Sequence, residues 1–304
     1  MAQVLLKSSS FLAIMLLGAL LRRFRFFGAG DYRIVMKLVL NITLPAAVIT
    51  GFASYRPEPA LLLCTVMGFA FNWATLLLAA LCSRGKHRSI RAVWLNSVPG
   101  YCIGAFALPF VQSFLPPAGV VSCCLFDAGS ALMCSGGTYA VSQVILSKDG
   151  KVGLGHMGRS LLSSRPFLTY VVMLILSLAG IMIPKPVVDF LSPIASANTF
   201  LSMMMVGMMF DTQLDRAALK NAAGMVLMRV CAAAAAACGC LLLPLPMEVR
   251  QALAIAVCAP VSFTSTALSE RAGGDPALAA CVSSLTIPIS VTVIIALLTL
   301  FGTL

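Results

Sequence analysis

Val93–Phe114 reads VWLNSVPGYCIGAFALPFVQSF, and Leu253–Gly274 reads LAIAVCAPVSFTSTALSERAGG. Both are mainly apolar and of membrane-spanning length, yet each has a proline near its middle, Pro99 and Pro260, among Gly, Ser, Thr or Asn. Proline removes a backbone donor and clashes with the preceding turn of a helix. In lipid the carbonyls so freed find no water. A break of this kind is tolerated where it lines a polar cavity. Half-helix N-termini then turn N–H groups toward an anion, and loose carbonyls can face a cation. The structural alternative is a simple kink, because proline is common in membrane helices.

The rest of the chain has the same character. Of its 304 residues 60% are hydrophobic and 10% charged, against about 25% charged in an average soluble domain. So little charge cannot coat a globular surface, and lipid is the expected solvent over much of the area. Ten hydrophobic runs follow one another, roughly 4–21, 34–54, 59–82, 91–114, 118–147, 161–183, 186–210, 217–243, 249–269 and 277–302. The breaks carry Gly, Pro or charge, as in YRPEP, SRGKHRSIR, LPPAG and RAGGDP. No gap is long enough for a soluble domain, so 1–304 reads as one transmembrane unit. The first run, taken over about Ser9 to Leu21, has Lys7 before it and Arg22, Arg23 and Arg25 after it. A secretory signal has the opposite polarity, so this run is expected to stay as the first span.

The net charge of +11 does not mark a nucleic-acid binder. The basic residues sit in short clusters between apolar runs, without aromatic lacing. On alternate loops one side holds sixteen: Arg22, Arg23, Arg25, Arg33, Lys37, Arg84, Lys86, Arg88, Arg91, Lys148, Lys151, Arg159, Arg165, Arg216, Lys220 and Arg271. The other side holds four: Lys7, Arg56, Lys185 and Arg250. The positive-inside rule makes the first side cytoplasmic and puts both termini outside a cell membrane.

A faint repeat is visible. LNITLP at Leu40–Pro45 and ANTFLS at Ala197–Ser202 place Asn41 and Asn198 157 positions apart, and Pro99 and Pro260 are 161 apart. Two similar offsets suggest two five-span halves, about 1–147 and 161–304. Five is odd, so the halves would be inverted in the membrane, as in many secondary transporters.

Several polar groups lie inside the runs. Asp127, in CCLFDAGSALMCSGG, is an intramembrane carboxylate, which is expensive and usually functional. It is the candidate proton carrier, with a structural ion pair as the alternative. Arg229 is the only arginine in the middle of a run, in MVLMRVCAAAA. It could pair with Asp127, attract a carboxylate substrate, or snorkel. Asn41, Asn72, Asn96 and Asn198 could bind substrate or join helices. Ser262, Thr264, Ser265 and Thr266 make the ninth run unusually hydroxylated, which suits oxygen coordination or back-bonding to the helix.

Other signals are bland. The eleven Cys contain no CxxC, and Cys64, Cys231, Cys238 and Cys281 read as small buried hydrophobes. The two His, His87 and His156, fall in basic loops. Met203, Met204, Met205, Met208 and Met209 read as flexible packing rather than a metal site. CAAAAAACG offers a small-residue face for close helix contact. GxSxG, HExxH and Walker A patterns are absent, so neither enzyme chemistry nor a cofactor is expected.

Taken together, LNITLPAAVITGFAS, IGAFALPFV, LFDAGSAL and APVSFTSTALSERAGGDPALAACVSSLTIPIS resemble the auxin efflux carrier family, plant auxin exporters and bacterial permeases for malate-like acids. The resemblance spans nearly the whole chain. It implies an all-α polytopic membrane protein of ten helices in two inverted repeats, with crossed, broken helices four and nine, similar to bile-acid sodium symporters. It further implies a scaffold of helices 1, 2, 6 and 7, a moving unit of 3–5 and 8–10, and elevator-type alternating access. Asn96 and Pro99 match the first crossover, and Pro260 with its hydroxyl neighbours the second. Cys102 is a departure, since many bacterial members carry Asn there. The long cytoplasmic loop of the plant exporters is absent.

The expectation is therefore a secondary transporter of a small organic anion, proton-coupled or potential-driven. The expected substrate site comprises Asn41, Asn96, Pro99, Tyr101, Asp127, Asn198, Pro260, Ser262, Thr264 and Ser265, with Asp127 and Arg229 as coupling groups. The lipid bilayer is a partner, and a homodimer is admitted. A sodium-coupled symporter of the same fold is the second reading. A membrane-embedded enzyme or sensor is the reading from another class.

Overall fold

A computed structural model describes residues 2–28, 30–53, 61–146, 164–209 and 216–302. The basic residues Arg56, Lys148, Lys151 and Arg159, and His156, lie outside the described residues. In chain order the helices are α1 (Ala2–Arg23), α2 (Tyr32–Ala53), α3 (Leu62–Cys82), α4 (Arg88–Ser97), α5 (Ile103–Phe114), α6 (Pro117–Leu132), α7 (Thr138–Leu146), α8 (Arg165–Leu178), α9 (Lys185–Met209), α10 (Arg216–Leu241), α11 (Met247–Val257), α12 (Phe263–Arg271) and α13 (Pro276–Phe301). No strand occurs among the described residues.

Five helices are long and apolar enough to cross a membrane: α2, α3, α9, the Ala218–Leu241 part of α10, and α13. Three shorter apolar helices are α5, α6 and α8. Several runs fall short for a local reason. The fourth run divides into α4 and α5, and the ninth into α11 and α12. The fifth bends between α6 and α7 at Met133–Gly137, where Gly136 has φ 141°. That angle strains any residue with a Cβ. The described residues thus form helices and no strands, with the apolar composition of a polytopic membrane protein.

α3 shows how such a helix packs. Its buried face is Cys64, Gly68, Asn72, Thr75, Leu76 and Ala79, at steps of three and four. Leu63, Val66, Phe69, Leu77, Leu78 and Leu81 point outward. The bulky aliphatics are outside and the small or polar groups inside, the reverse of a water-soluble helix. Lipid tails give no hydrophobic drive between helices, so close packing and interhelical hydrogen bonds take its place. Asn72 accordingly donates to Ser130 Oγ on α6 at 2.9 Å. A Cβ on Gly68 would strike the Phe126 carbonyl, and one on Gly129 the Thr65 carbonyl. These glycines let α3 and α6 touch backbone to backbone. Gly18 and Gly207 do the same for α1 and α9, against the Met204 and Met15 carbonyls.

Prolines mark the irregular turns. Val39–Thr43 and Ile103–Ala107 are π turns lying just ahead of Pro45 and Pro109. Proline cannot close the i−4 bond, and a wider turn absorbs the mismatch. Beneath them, Phe106, Phe110, Phe126 and Leu253 are fully buried and bring α5, α6 and α11 into one core. Within the methionine cluster Met203, Met205 and Met208 are buried packing groups. Cys231 and Cys238 differ from the expectation of buried cysteines: both are exposed. The stretch of α10 after Arg229 is almost all small apolar residues, AAAAAACGC, so sequence does not reveal which of its faces turns outward.

Candidate binding site at the paired helix interruptions

α4 ends at Ser97 and α5 starts at Ile103; α11 ends at Val257 and α12 starts at Phe263. The two irregular stretches between them lie side by side. Tyr101 and Val261 form an isolated antiparallel bridge. The Cys102 N–H donates to the Pro260 carbonyl at 2.9 Å, and the Ser262 N–H to the Gly100 carbonyl at 3.3 Å. Buried backbone groups left unpaired cost about 1–3 kcal/mol each. Each interruption therefore supplies partners that the other needs. Gly100 is required by proximity, since a Cβ there would lie 2.6 Å from Ser265 Cβ. α12 is capped by Ser262, whose Oγ accepts from the Thr264 N–H at 3.3 Å.

Arg229 reaches this place from α10. Its Nη1 donates to the carbonyls of Ser97 at 3.0 Å, Gly100 at 2.9 Å and Val98, and its Nη2 donates to the Ala259 carbonyl at 2.9 Å. The guanidinium carbon lies 4.0 Å from the centre of the Tyr101 ring, a cation–π geometry. Only 4% of the residue is exposed. A buried charge is tolerated when hydrogen bonds and opposite partial charge surround it. Here the surroundings are the negative C-terminal ends of α4 and α11. Arg229 thus does not snorkel, and among the described residues it pairs with no carboxylate.

Hydroxyls crowd the same region. Ser97 Oγ, Tyr101 OH, Ser265 Oγ, Thr266 Oγ1 and Ser269 Oγ are buried and have no hydrogen-bond partner among the described residues. Buried polar groups are nearly always satisfied, so a cluster of unsatisfied ones asks for water or a ligand. Beside it, a cleft of about 450 Å³ of empty space, open mouth included, is lined by Tyr101, Arg229, Cys258, Ala259, Thr286 and Ser290 among others.

Asp127 belongs to a neighbouring cluster. It is half-buried and accepts a hydrogen bond from the Tyr170 hydroxyl on α8 at 2.6 Å. Its Oδ2 lies 2.6 Å from the position of a Cβ on Gly104. The carboxylate therefore sits at the N-terminal end of α5, where a negative charge is favoured. Among the described residues no ion pair joins Asp127 to Arg229.

The expected site residues divide accordingly. Pro99, Tyr101, Pro260, Ser262, Thr264, Ser265 and Arg229 meet at the interruptions. Asn96, just ahead of them on α4, is fully buried and donates to the Ala92 carbonyl at 2.9 Å and Ser142 Oγ at 3.1 Å. It joins α4 to α7. Asn41 donates to the Lys37 carbonyl at 2.8 Å, and Asn198 accepts from Thr43 at 3.0 Å. Their hydrogen bonds join α2 internally and to α9, and do not reach the interruptions. Sequence reasoning passed over Ser97, Gly100, Gly104, Tyr170, Ser269 and Thr286. Gly100 could have been found, as the glycine following Pro99. Tyr170 carries no local signal.

Among the described residues no group of three or more His, Cys, Asp or Glu is placed to hold a metal ion. No protein-family model matches the chain, and no curated protein matches it.

Proposed function

We propose that the chain is a secondary transporter that carries a small organic anion, a mono- or dicarboxylate, across the cell membrane at the paired interruptions. The observation that carries this reading is the buried arginine held between the two broken helices, bordered by five buried hydroxyls that have no partner among the described residues. The N-terminal ends of α5 and α12 start at the same place and add partial positive charge. A carboxylate would find hydroxyl donors and two helix N-terminal ends there, beside carbonyls whose partial negative charge Arg229 offsets.

In this reading the chain spans the membrane ten times, as two inverted halves with outside termini. Interrupted helices four and nine cross within it, and a moving unit of spans 3–5 and 8–10 slides on spans 1, 2, 6 and 7. Asp127 is the proton-responsive group. The resemblance to auxin efflux carriers and the alternating basic loops support this arrangement.

The test has two stages. Thermal-shift screening of purified protein against mono- and dicarboxylates identifies ligands, because a ligand that binds the native state raises Tm. Each hit is then followed as labelled solute in proteoliposomes preloaded with the same compound. Accelerated exchange supports a transporter. Ligand binding without exchange would favour a membrane-embedded enzyme or sensor.

A further inference from the structure

We propose that Arg229 is a tethered cation occupying a carbonyl cradle that would otherwise take a free monovalent cation, so that the transporter works without sodium or potassium. The cradle is built from both interruptions. Ser97, Val98 and Gly100 contribute carbonyls from one, and Ala259 from the other. Three of the four oxygens converge on a single nitrogen, Nη1, which has only two hydrogens. Such crowding is the coordination expected around a point charge, not the planar fork by which a guanidinium normally pairs. Rings of backbone carbonyls are a known way to replace the hydration shell of a monovalent ion. None of the four oxygens belongs to a carboxylate, and divalent ions call for carboxylate oxygens. The Tyr101 ring face at 4.0 Å adds further attraction for a cation.

The position makes the replacement consequential. Two helix C-termini and the freed carbonyls direct partial negative charge at one buried point. A transporter must neutralise that point whenever the two broken helices are held together. An ion that comes and goes would couple transport to its gradient. A guanidinium on a side chain of α10 cannot leave, so neutralisation is permanent and the substrate moves with only its own charge and any proton. The cleft lined by Arg229, Thr286 and Ser290 would give a small ion a route to the cradle once the side chain is shortened. The consequence for coupling rests on the transporter reading; the cradle itself does not.

The test uses detergent-purified full-length protein and reads Tm in sodium, potassium and choline chloride at equal ionic strength. The wild type is expected to melt at the same temperature in all three. Arg229→Ala is expected to melt well below wild type in choline and to recover several degrees in sodium or potassium. Arg229→Met, which keeps the stem's packing without the charge, should show the same recovery. Arg229→Lys should stay insensitive to the salt. A sodium- or potassium-specific rise in the wild type overturns the proposal. So does a folded Ala or Met variant with one melting temperature in all three salts, or a variant recovered folded in none of them. Because Tm needs no substrate, absence of carboxylate exchange would sink the transporter reading and leave this result standing.

Discussion

The Tyr170 hydroxyl donates to Asp127 Oδ2 across 2.6 Å, joining α8 to α6 beside the first turn of α5. This bond gives the half-buried carboxylate a partner that needs no opposite charge. Hydrogen bonds to charged groups contribute about 1.5–3 kcal/mol, while interhelical bonds in a membrane average about 0.6 kcal/mol. Tyr170→Phe should therefore lower Tm measurably. In a double-mutant cycle with Asp127→Asn the two losses should not add, with a coupling of about 1 kcal/mol. Additive losses would mean that the bond contributes nothing.

Asp127→Asn mimics a protonated carboxyl at nearly constant volume. If Asp127 links transport to protons, this variant keeps substrate exchange but loses its response to an imposed pH gradient. Proteoliposome uptake with and without the gradient measures it. Gradient-driven uptake at the wild-type level by stable Asp127→Asn protein would remove Asp127 from coupling.

Gly104→Ala tests the same cluster from the backbone side. Its Cβ would lie 2.6 Å from Asp127 Oδ2 and 2.9 Å from the Tyr170 hydroxyl, so one of them must move. Overpacking of this kind costs about 1–3 kcal/mol. The loss should shrink in a Tyr170→Phe background, where part of the obstruction is gone. An equal loss in both backgrounds would place the strain elsewhere.

The glycine seams predict a contrast. Gly129→Ala sets a Cβ against the Thr65 carbonyl, whereas Gly239 on α10 has nothing within 4 Å. Gly129→Ala should destabilise by about 1–3 kcal/mol. Gly239→Ala should be neutral or stabilising, since alanine is favoured over glycine in a helix by about 1 kcal/mol. Melting curves of the two variants decide it, and a reversed order would contradict the seam.

Much of this was legible in the sequence, for a physical reason. Proline and glycine act on their own backbone, so Pro99 and Pro260 announced both interruptions without any knowledge of neighbours. Hydropathy likewise announced α2, α3, α9, α10 and α13. What stayed hidden depends on partners distant in the chain. Arg229 binds carbonyls 129 to 132 positions away, and carbonyls are common to every residue. Tyr170 lies 43 positions from Asp127 in an otherwise apolar stretch. Asn41 and Asn198 sit in similar sequence stretches, yet their side chains bond different partners, Lys37 and Thr43.

Orientation is open to labelling in a Cys-less background. Single cysteines near Gly302 should react with an impermeant reagent added outside intact cells, and cysteines replacing Lys86 or Arg271 only after permeabilisation. A site near Gly302 reached only from the cytoplasm would contradict both the expected span count and the positive-inside assignment.

Counterflow in proteoliposomes tests the central claim most directly. Wild-type protein preloaded with an unlabelled carboxylate that raises its Tm should accumulate the labelled compound, saturably and transiently. Gly100→Val, whose side chain would push Ser265 away and part the two interruptions, should lose that exchange. Exchange by no carboxylate in the wild type, or undiminished exchange by folded Gly100→Val protein, would contradict the claim that an organic anion is carried at the paired interruptions.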